Sequence, residues 1–247
     1  MPQTTIVYIC SPDRYRQLSF SLATLLRSGT SFNKIVVFCI GDNSGWDFGD
    51  DRVDIRSVPN LYGHYFYGNK LYVCDVEADR VVFLDTDTLV FSPIDRIWSA
   101  SPAAVIARVA SAYDSANWNA TRWKEACSRF GMNVVPMFNT GFLIFQSGSN
   151  RRVRKVWKES MELYQAKVLS PPCEERMSDQ YGLALAILAC DISYAVMGPK
   201  DHTYGWIEWI TGKHTVSKDT VVLHTANELF DVYLAKYQIE SPIWLKP

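Results

Sequence analysis

The run Arg80-Val81-Val82-Phe83-Leu84-Asp85-Thr86-Asp87-Thr88-Leu89-Val90-Phe91 places an apolar, β-branched segment directly before two aspartates. Arg80 to Leu84 reads as a buried strand, and the carboxylates fall at its carboxyl end. In extended backbone, residues i and i+2 project to the same side, so Asp85 and Asp87 are expected to converge on one point. Neighbouring carboxylates repel, which raises the pKa of one unless a cation sits between them. Oxygen donors select hard divalent ions such as Mg²⁺ or Mn²⁺, which complete their coordination with phosphate oxygens. Ligands of parallel sheets bind outside the carboxyl ends of the strands. Two unrelated turn aspartates fit the same short string, so the surrounding pattern has to decide.

Upstream, strand and helix patterns alternate. Thr4 to Cys10 is a β-branched run, followed by Ser11-Pro12, a good N-cap and first helical position. Leu18, Leu22, Leu25 and Leu26 recur at helical spacing between Tyr15 and Ser28, and Gly29 closes that segment. Ile35 to Ile40 and Val53 to Val58 read as strands, and Gly68 to Ala78 as a helix. Downstream, Ala103 to Val109 and Met137 to Gln146 look like strands, the latter deep in the sheet. Arg151 to Lys167 carries Val153, Val156, Trp157, Met161 and Tyr164 on one face, an amphipathic helix. Ser178 is placed to cap a helix running to Ala189, and Ile192 to Val196 and Thr220 to His224 complete the strands. Strands separated by helices predict a mostly parallel, Rossmann-like sheet flanked by helices. Ser111 to Asn133 reads as a long polar loop or small helical excursion. No repeat or Pro/Gly-rich linker divides residues 1–247, so one domain is expected.

Composition excludes several classes. Lys plus Arg number 25 and Asp plus Glu 26, a formal charge of −1, without the basic excess of a nucleic-acid binder. Hydrophobic residues make up 48% and charged residues 21%, ordinary globular usage. The longest apolar runs, Ile35 to Ile40 and Gly182 to Cys190, fall well short of the roughly 18 to 20 residues that span a bilayer. No basic-then-apolar leader is seen before Thr4. The six cysteines (Cys10, Cys39, Cys74, Cys127, Cys173 and Cys190) form no C-x-x-C pair, and four lie in apolar stretches. A cytoplasmic setting is therefore expected, in which the glycosylation-type string Asn119-Ala120-Thr121 stays unmodified.

Asp85-Thr86-Asp87-Thr88 also fits the first motif of haloacid-dehalogenase-type phosphohydrolases, with one Asp as nucleophile beside Mg²⁺. In those enzymes the motif opens the chain and a further acidic motif follows it. Here 84 residues precede it, and Gly41-Asp42 to Asp47 comes before rather than after.

A second set of motifs runs the length of the chain. Asn69-Lys70-Leu71 precedes the apolar strand, and Pro93-Ile94-Asp95 follows Asp85-Thr86-Asp87-Thr88. Then come Phe138-Asn139-Thr140-Gly141-Phe142, Ser178-Asp179-Gln180 and Val221-Val222-Leu223-His224. In this order they resemble glycosyltransferase family 8, the glycogenin-like group, or a divergent relative with the GT-A fold. The resemblance implies a metal-dependent transfer of a hexose or pentose, with retention, from a nucleotide-sugar donor, UDP-linked by expectation. The acceptor is a saccharide or another hydroxyl. Residues 1–100 would supply the nucleotide-binding half and 101–247 the acceptor half.

Residue by residue, the resemblance implies that Asp85, Asp87 and His224 hold Mn²⁺ (or Mg²⁺) against the donor diphosphate. Lys70 would contact the phosphates or donor sugar. Cys10, Ser11, Tyr15 and Thr86 would lie along the nucleotide, Tyr15 by stacking. Asn139 would bond sugar hydroxyls, Gly141 would allow close backbone approach, and Asp179 with Gln180 would face the anomeric carbon. A helix-capping role explains Asp179 equally well, and a solvated helix-face lysine is the plain alternative for Lys70. The family continues from its late His into a Gly and a Lys-Pro-Trp-like string. This chain has Thr225-Ala226-Asn227-Glu228, and only Trp244 to Pro247 hints at the basic segment. His202 or His214 are alternatives to His224, whereas His64 reads as a loop residue. Trp118, Trp123, Trp206 and Trp209 are acceptor-stacking candidates. An inverting transferase using an acidic general base, and an inactive sugar-nucleotide or glycan-binding module, fit the same residues.

Overall fold

The computed structural model describes residues 2–63, 65–110, 124, 127–128, 131, 133, 135–165 and 178–244. Among them, seven strands form one sheet: β1 (Thr4–Cys10), β2 (Lys34–Ile40), β3 (Val53–Val58), β4 (Arg80–Leu84), β6 (Val105–Val109), β7 (Phe138–Gln146) and β8 (Tyr194–Val196). Their order is β3-β2-β1-β4-β7-β6-β8. The short strands β5 (Thr88–Val90), β9 (His202–Tyr204) and β10 (Val222–His224) form a second sheet, in the order β5-β10-β9.

The first four strands of the large sheet run parallel. β7 is antiparallel to both its neighbours, β4 and β6. The sheet is thus mostly parallel, with one reversed strand deep inside it. All residues of β7 but Gln146 are buried, because both faces are covered and no alternation of polar residues is possible. Strand alternation sorts the core into two layers. Val82 and Leu84 join Leu18, Leu22 and Leu25 of α1 (Tyr15–Arg27), and Ile97 and Trp98 of α2 (Asp95–Ser99). Val81 and Phe83 face the other way, onto Val153, Trp157 and Met161 of α3 (Ser149–Gln165) and Leu183 and Ile187 of α4 (Ser178–Ala189). Trp157 is wholly buried; truncating such a ring to Ala costs about 3–5 kcal/mol.

Two expectations need correcting. The helix expected over 68–78 is a 3₁₀ helix over Phe66–Asp75. Gly68 to Cys74 are all buried, so no solvent-facing stripe holds the winding to a period of 3.6. Inward-turned Asn69 ties the segment down by accepting from the Leu61 amide (2.9 Å) and donating to the Phe66 carbonyl (2.9 Å). The late strands are also shorter than expected, because Thr220 and Val221 lie outside β10, and Ile192 and Ser193 outside β8.

The small sheet carries α5 (Gly205–Thr211) and α6 (Phe230–Lys236), and Leu89, Leu223, Phe230, Tyr233 and Leu234 pack together there. β10 runs antiparallel to β5 and parallel to β9, which pairs His224 with Thr88 on one side and Tyr204 on the other. No helix of the described residues is long and apolar enough to cross a membrane. His64, Trp118, Asn119, Trp123, Cys173, Lys246 and Pro247 lie outside the described residues, as does most of the excursion expected over 111–133.

Candidate metal and donor site

The two carboxylates converge, but not through extended backbone. β4 ends at Leu84, and Asp85 to Thr88 make a turn, closed by the Thr88 amide on the Asp85 carbonyl (3.2 Å). The Thr88 hydroxyl donates to the same carbonyl at 2.7 Å. Neighbouring elements pin both arms of the turn. The Asp85 amide donates to the Gly141 carbonyl of β7 (2.8 Å). The amide and hydroxyl of Thr225, just after β10, donate to the Asp87 carbonyl (3.0 and 2.9 Å).

That last attachment brings in His224. Its Nε2 lies 3.2 Å from Asp87 Oδ1 and 3.9 Å from Asp85 Oδ2. One donor atom from each of Asp85, Asp87 and His224 falls within a 4.8 Å cluster. Two hard carboxylates and one imidazole suit a divalent ion such as Mn²⁺ or Mg²⁺. The backbone makes room for this cluster at Gly141, where a Cβ would stand 2.2 Å from His224 Cε1 and 2.9 Å from Asp85 Oδ2. His202 stacks on His224 and sets its Nε2 3.4 Å from His224 Nδ1, so the Nε2 edge of His224 is the one turned towards the carboxylates. Burial, together with the charges of His224 and Arg108, drives the His202 pKa well below the ordinary value and keeps the ring neutral. Burial and the neighbouring Asp87 push the Asp85 pKa up, against the pull of Lys70. At Asp87 burial is the largest influence and works in the same upward direction, but His224, Lys70 and a backbone hydrogen bond together overcome it and hold the carboxyl low.

Lys70 joins this cluster to Asp179. Its ammonium is 3.0 Å from Asp85 Oδ2, 3.5 Å from Asp179 Oδ2 and 3.2 Å from both the carbonyl and hydroxyl oxygens of Thr140. Burial alone would lower the Lys70 pKa, yet Asp85 and Asp179 overcome it and hold the group protonated. Lys70 is thus a buried cation rather than a solvated one. Asp179 sits in the first turn of α4, and its carboxylate is held by side chains of other elements. Tyr65 donates to its Oδ1 at 3.0 Å, the Thr140 hydroxyl donates to its Oδ2, and its own amide donates back to the Tyr65 hydroxyl (2.9 Å). Trp157 Nε1 holds its carbonyl at 2.8 Å. Both Asp179 carboxylate oxygens are therefore already hydrogen-bonded.

Other candidates are spread around this centre. The Asn139 side chain accepts from the Gly141 amide at 2.8 Å, stiffening the bend that opens the cradle. Thr86 is half-buried beside Gln17, and Gln180 follows Asp179 on α4. Ser11, just after β1, donates to Asp13, while the Cys10 side chain is fully buried in the core. Tyr15 stands with Trp46 and Phe48, ring centres 4.8 and 5.6 Å away, and Phe48 also meets Trp244 at 6.1 Å. Trp206 packs its ring 5.1 Å from the His224 imidazole, whereas Trp209 is 70% exposed. His214 is exposed and paired with Glu208 at 2.8 Å, away from the carboxylate pair. Sequence reading missed Tyr65, Thr140, Trp46 and Phe48 as site residues. Tyr65 and Thr140 carried a signal only through their neighbours in the Asn69-Lys70 and Asn139-Gly141 motifs.

Residues 6–191 match the family described as the Rhodobacterales glycosyltransferase domain. No curated protein matches the sequence significantly. Among solved structures, the chain is similar to the galactosyltransferase LgtC in complex with donor and acceptor sugar analogues. That match has 14% identity and a TM-score of 0.65, over 90% of this chain and 87% of that one. An active-site mutant of LgtC aligns equally well, with a TM-score of 0.65 at 12% identity. The glycosyltransferase GlyE of Streptococcus pneumoniae TIGR4 matches at 14% identity and a TM-score of 0.63, over 98% of this chain and 63% of that one. These likenesses show a shared GT-A fold. The phosphohydrolase alternative is set aside by the family match, and the chain belongs to the Rhodobacterales glycosyltransferase domain family, as a glycosyltransferase with the GT-A fold.

Proposed function

We propose that this glycosyltransferase moves a hexose or pentose from a UDP-linked donor to a saccharide or other hydroxyl acceptor, with retention of configuration. The observation that carries the reading is the three-residue cluster of Asp85, Asp87 and His224, set at a strand end beside the buried Lys70. In this reading Asp85, Asp87 and His224 hold Mn²⁺ (or Mg²⁺), and the ion, when bound, offsets the charge that grows on the departing diphosphate. Lys70 places a second fixed positive charge near the same oxygens. Tyr15, with Trp46 and Phe48, offers rings for the base, and Ser11 and Thr86 line the approach.

Asp179, Gln180 and Asn139 face the donor sugar and acceptor. With both oxygens of Asp179 hydrogen-bonded, it supports positive charge at the anomeric carbon rather than attacking it. The acceptor hydroxyl then enters on the face the diphosphate leaves, and its proton passes to a diphosphate oxygen. We further infer one domain over residues 1–247, in which 1–100 supply the nucleotide side and 101–247 the acceptor side. The five described cysteines are free thiols, which supports a reducing, cytoplasmic setting.

The test is hydrolysis of UDP-sugars with added Mn²⁺ and no acceptor, because sugar transferases leak to water. Turnover that stops on chelation supports the reading. Donor binding with no turnover in any acceptor mixture makes the chain a binding module instead, and release of the α-anomer or β-anomer from an α-linked donor separates retention from inversion.

A further inference from the structure

Strands β6 and β9 and helix α5 border a cavity of about 310 Å³, among whose lining residues are Arg108, Tyr204, Ile207, Lys213 and Thr215. That volume lies at the small end of ligand sites. Arg108 is only 8% exposed. Its guanidinium lies 4.1 Å over the Tyr204 ring, and one Nη donates to the His202 carbonyl. A guanidinium presents five N–H donors in a rigid fork, and the remaining donors have no partner among the described residues. Carboxylates of the surrounding elements each have a cationic partner, although the buried Oε2 of Glu208 has none among the described residues. Glu208 pairs with Lys236 (2.5 Å) and His214 (2.8 Å), Asp219 with Lys200 (2.7 Å), and Asp201 with Arg96 (3.7 Å). Burial lowers the Arg108 pKa, and the opposing charge comes from Tyr204 rather than from any carboxylate. A largely buried guanidinium with no carboxylate partner among the described residues, in the wall of a cavity, is placed to take an anion.

Tyr204 connects this cavity to the transfer centre. Its ring forms one wall and stands 6.3 Å from the His224 imidazole. The Thr215 hydroxyl already donates to a backbone carbonyl, so recognition falls to the cations: the Arg108 fork inside, matched to two oxygens, and the exposed Lys213. We propose that the cavity is an oxyanion subsite that takes a carboxylate or phosphate carried by the acceptor saccharide. The inference rests on the transferase reading above and sharpens its acceptor class from any hydroxyl compound to an acidic one.

The test is calorimetric titration of the full chain with four probes: glucuronate, glucose 6-phosphate, glucose and inorganic phosphate. The expected result is that both sugar anions bind at least tenfold more tightly than glucose, and that Arg108→Gln and Lys213→Glu each weaken them tenfold or more. Lys213 is exposed, so its variant keeps the test valid if Arg108→Gln fails to fold. Equal affinity for glucose and glucuronate, or unchanged anion affinity in Lys213→Glu, overturns the subsite. Inorganic phosphate binding as tightly as the sugar anions makes it a free-anion site and overturns the acceptor assignment. Donor hydrolysis measured in parallel separates the two readings. Hydrolysis without anion binding refutes the subsite alone, whereas anion binding without hydrolysis of any donor refutes the transferase reading and the acceptor role with it.

Discussion

Asp85 and His224 reach the same cluster by opposite routes. Asp85 arrives at the end of a strand whose neighbours, β1 and β7, extend along its whole length, in a sheet built from regular alternation. His224 arrives on a three-residue strand of a small sheet, held by pairing with β5 and β9 and by the Thr225 contacts to Asp87. The first route is written in local periodicity. The second depends on residues more than 130 positions apart. One half of the site therefore rests on a rigid sheet, and the other on a smaller unit that must dock correctly. Substitutions on the two sides should fail differently.

The largest effect is expected at the shared point. In the proposed metal site Asp87→Asn removes a charged ligand, and several kcal/mol of electrostatic stabilisation corresponds to a rate loss of about 10³-fold, measured as Mn²⁺-dependent donor hydrolysis. Near-normal turnover with an unchanged melting curve would remove the metal role from this residue. Gly141→Ala attacks the junction between the two sides, since its Cβ meets the imidazole at 2.2 Å and Asp85 at 2.9 Å. Displacing either group by about 1 Å should cost roughly 10²-fold in kcat. Equal rates in Gly141→Ala and the parent would show that the cradle is looser than its geometry implies.

His202→Phe tests the docked side alone. The substitution keeps a ring in the stack but removes the nitrogen facing His224 Nδ1. Mn²⁺ affinity by calorimetry should fall about 10- to 100-fold, the usual cost of losing an orienting partner. An unchanged affinity would mean that packing alone orients His224.

The smallest of these effects is one of stability. Ala226, two residues beyond His224, has φ 64° and ψ 147°, a conformation that favours glycine. Ala226→Gly should raise stability by about 1 kcal/mol in urea unfolding. A loss would mean that this backbone is comfortable with a side chain.

The same contrast explains what could be read in advance. β1, β2 and β4 were legible because buried parallel strands write continuous apolar runs, β3 through the alternation of Val53, Ile55 and Ser57 with Asp54 and Arg56, and Leu18, Leu22 and Leu25 marked α1 through their helical spacing. The direction of β7 was not legible, because an all-buried strand has the same composition whichever way it runs. β5, β9 and the helices α5 and α6 escaped notice because elements of three to seven residues complete too few periods to stand out. The members of the three-residue cluster were visible, Asp85 and Asp87 in one motif and His224 in another. The hydrogen bonds that fix Asp179 come from Tyr65 and Thr140, whose partnership exists only after folding.

Manganese-edge anomalous scattering from crystals soaked with Mn²⁺ and UDP tests the central claim most directly. The account predicts one strong peak within bonding distance of Asp85, Asp87 and His224 Nε2, with diphosphate oxygens completing the coordination. A fully occupied peak elsewhere on the chain, or UDP bound with no density between those three side chains, would contradict it.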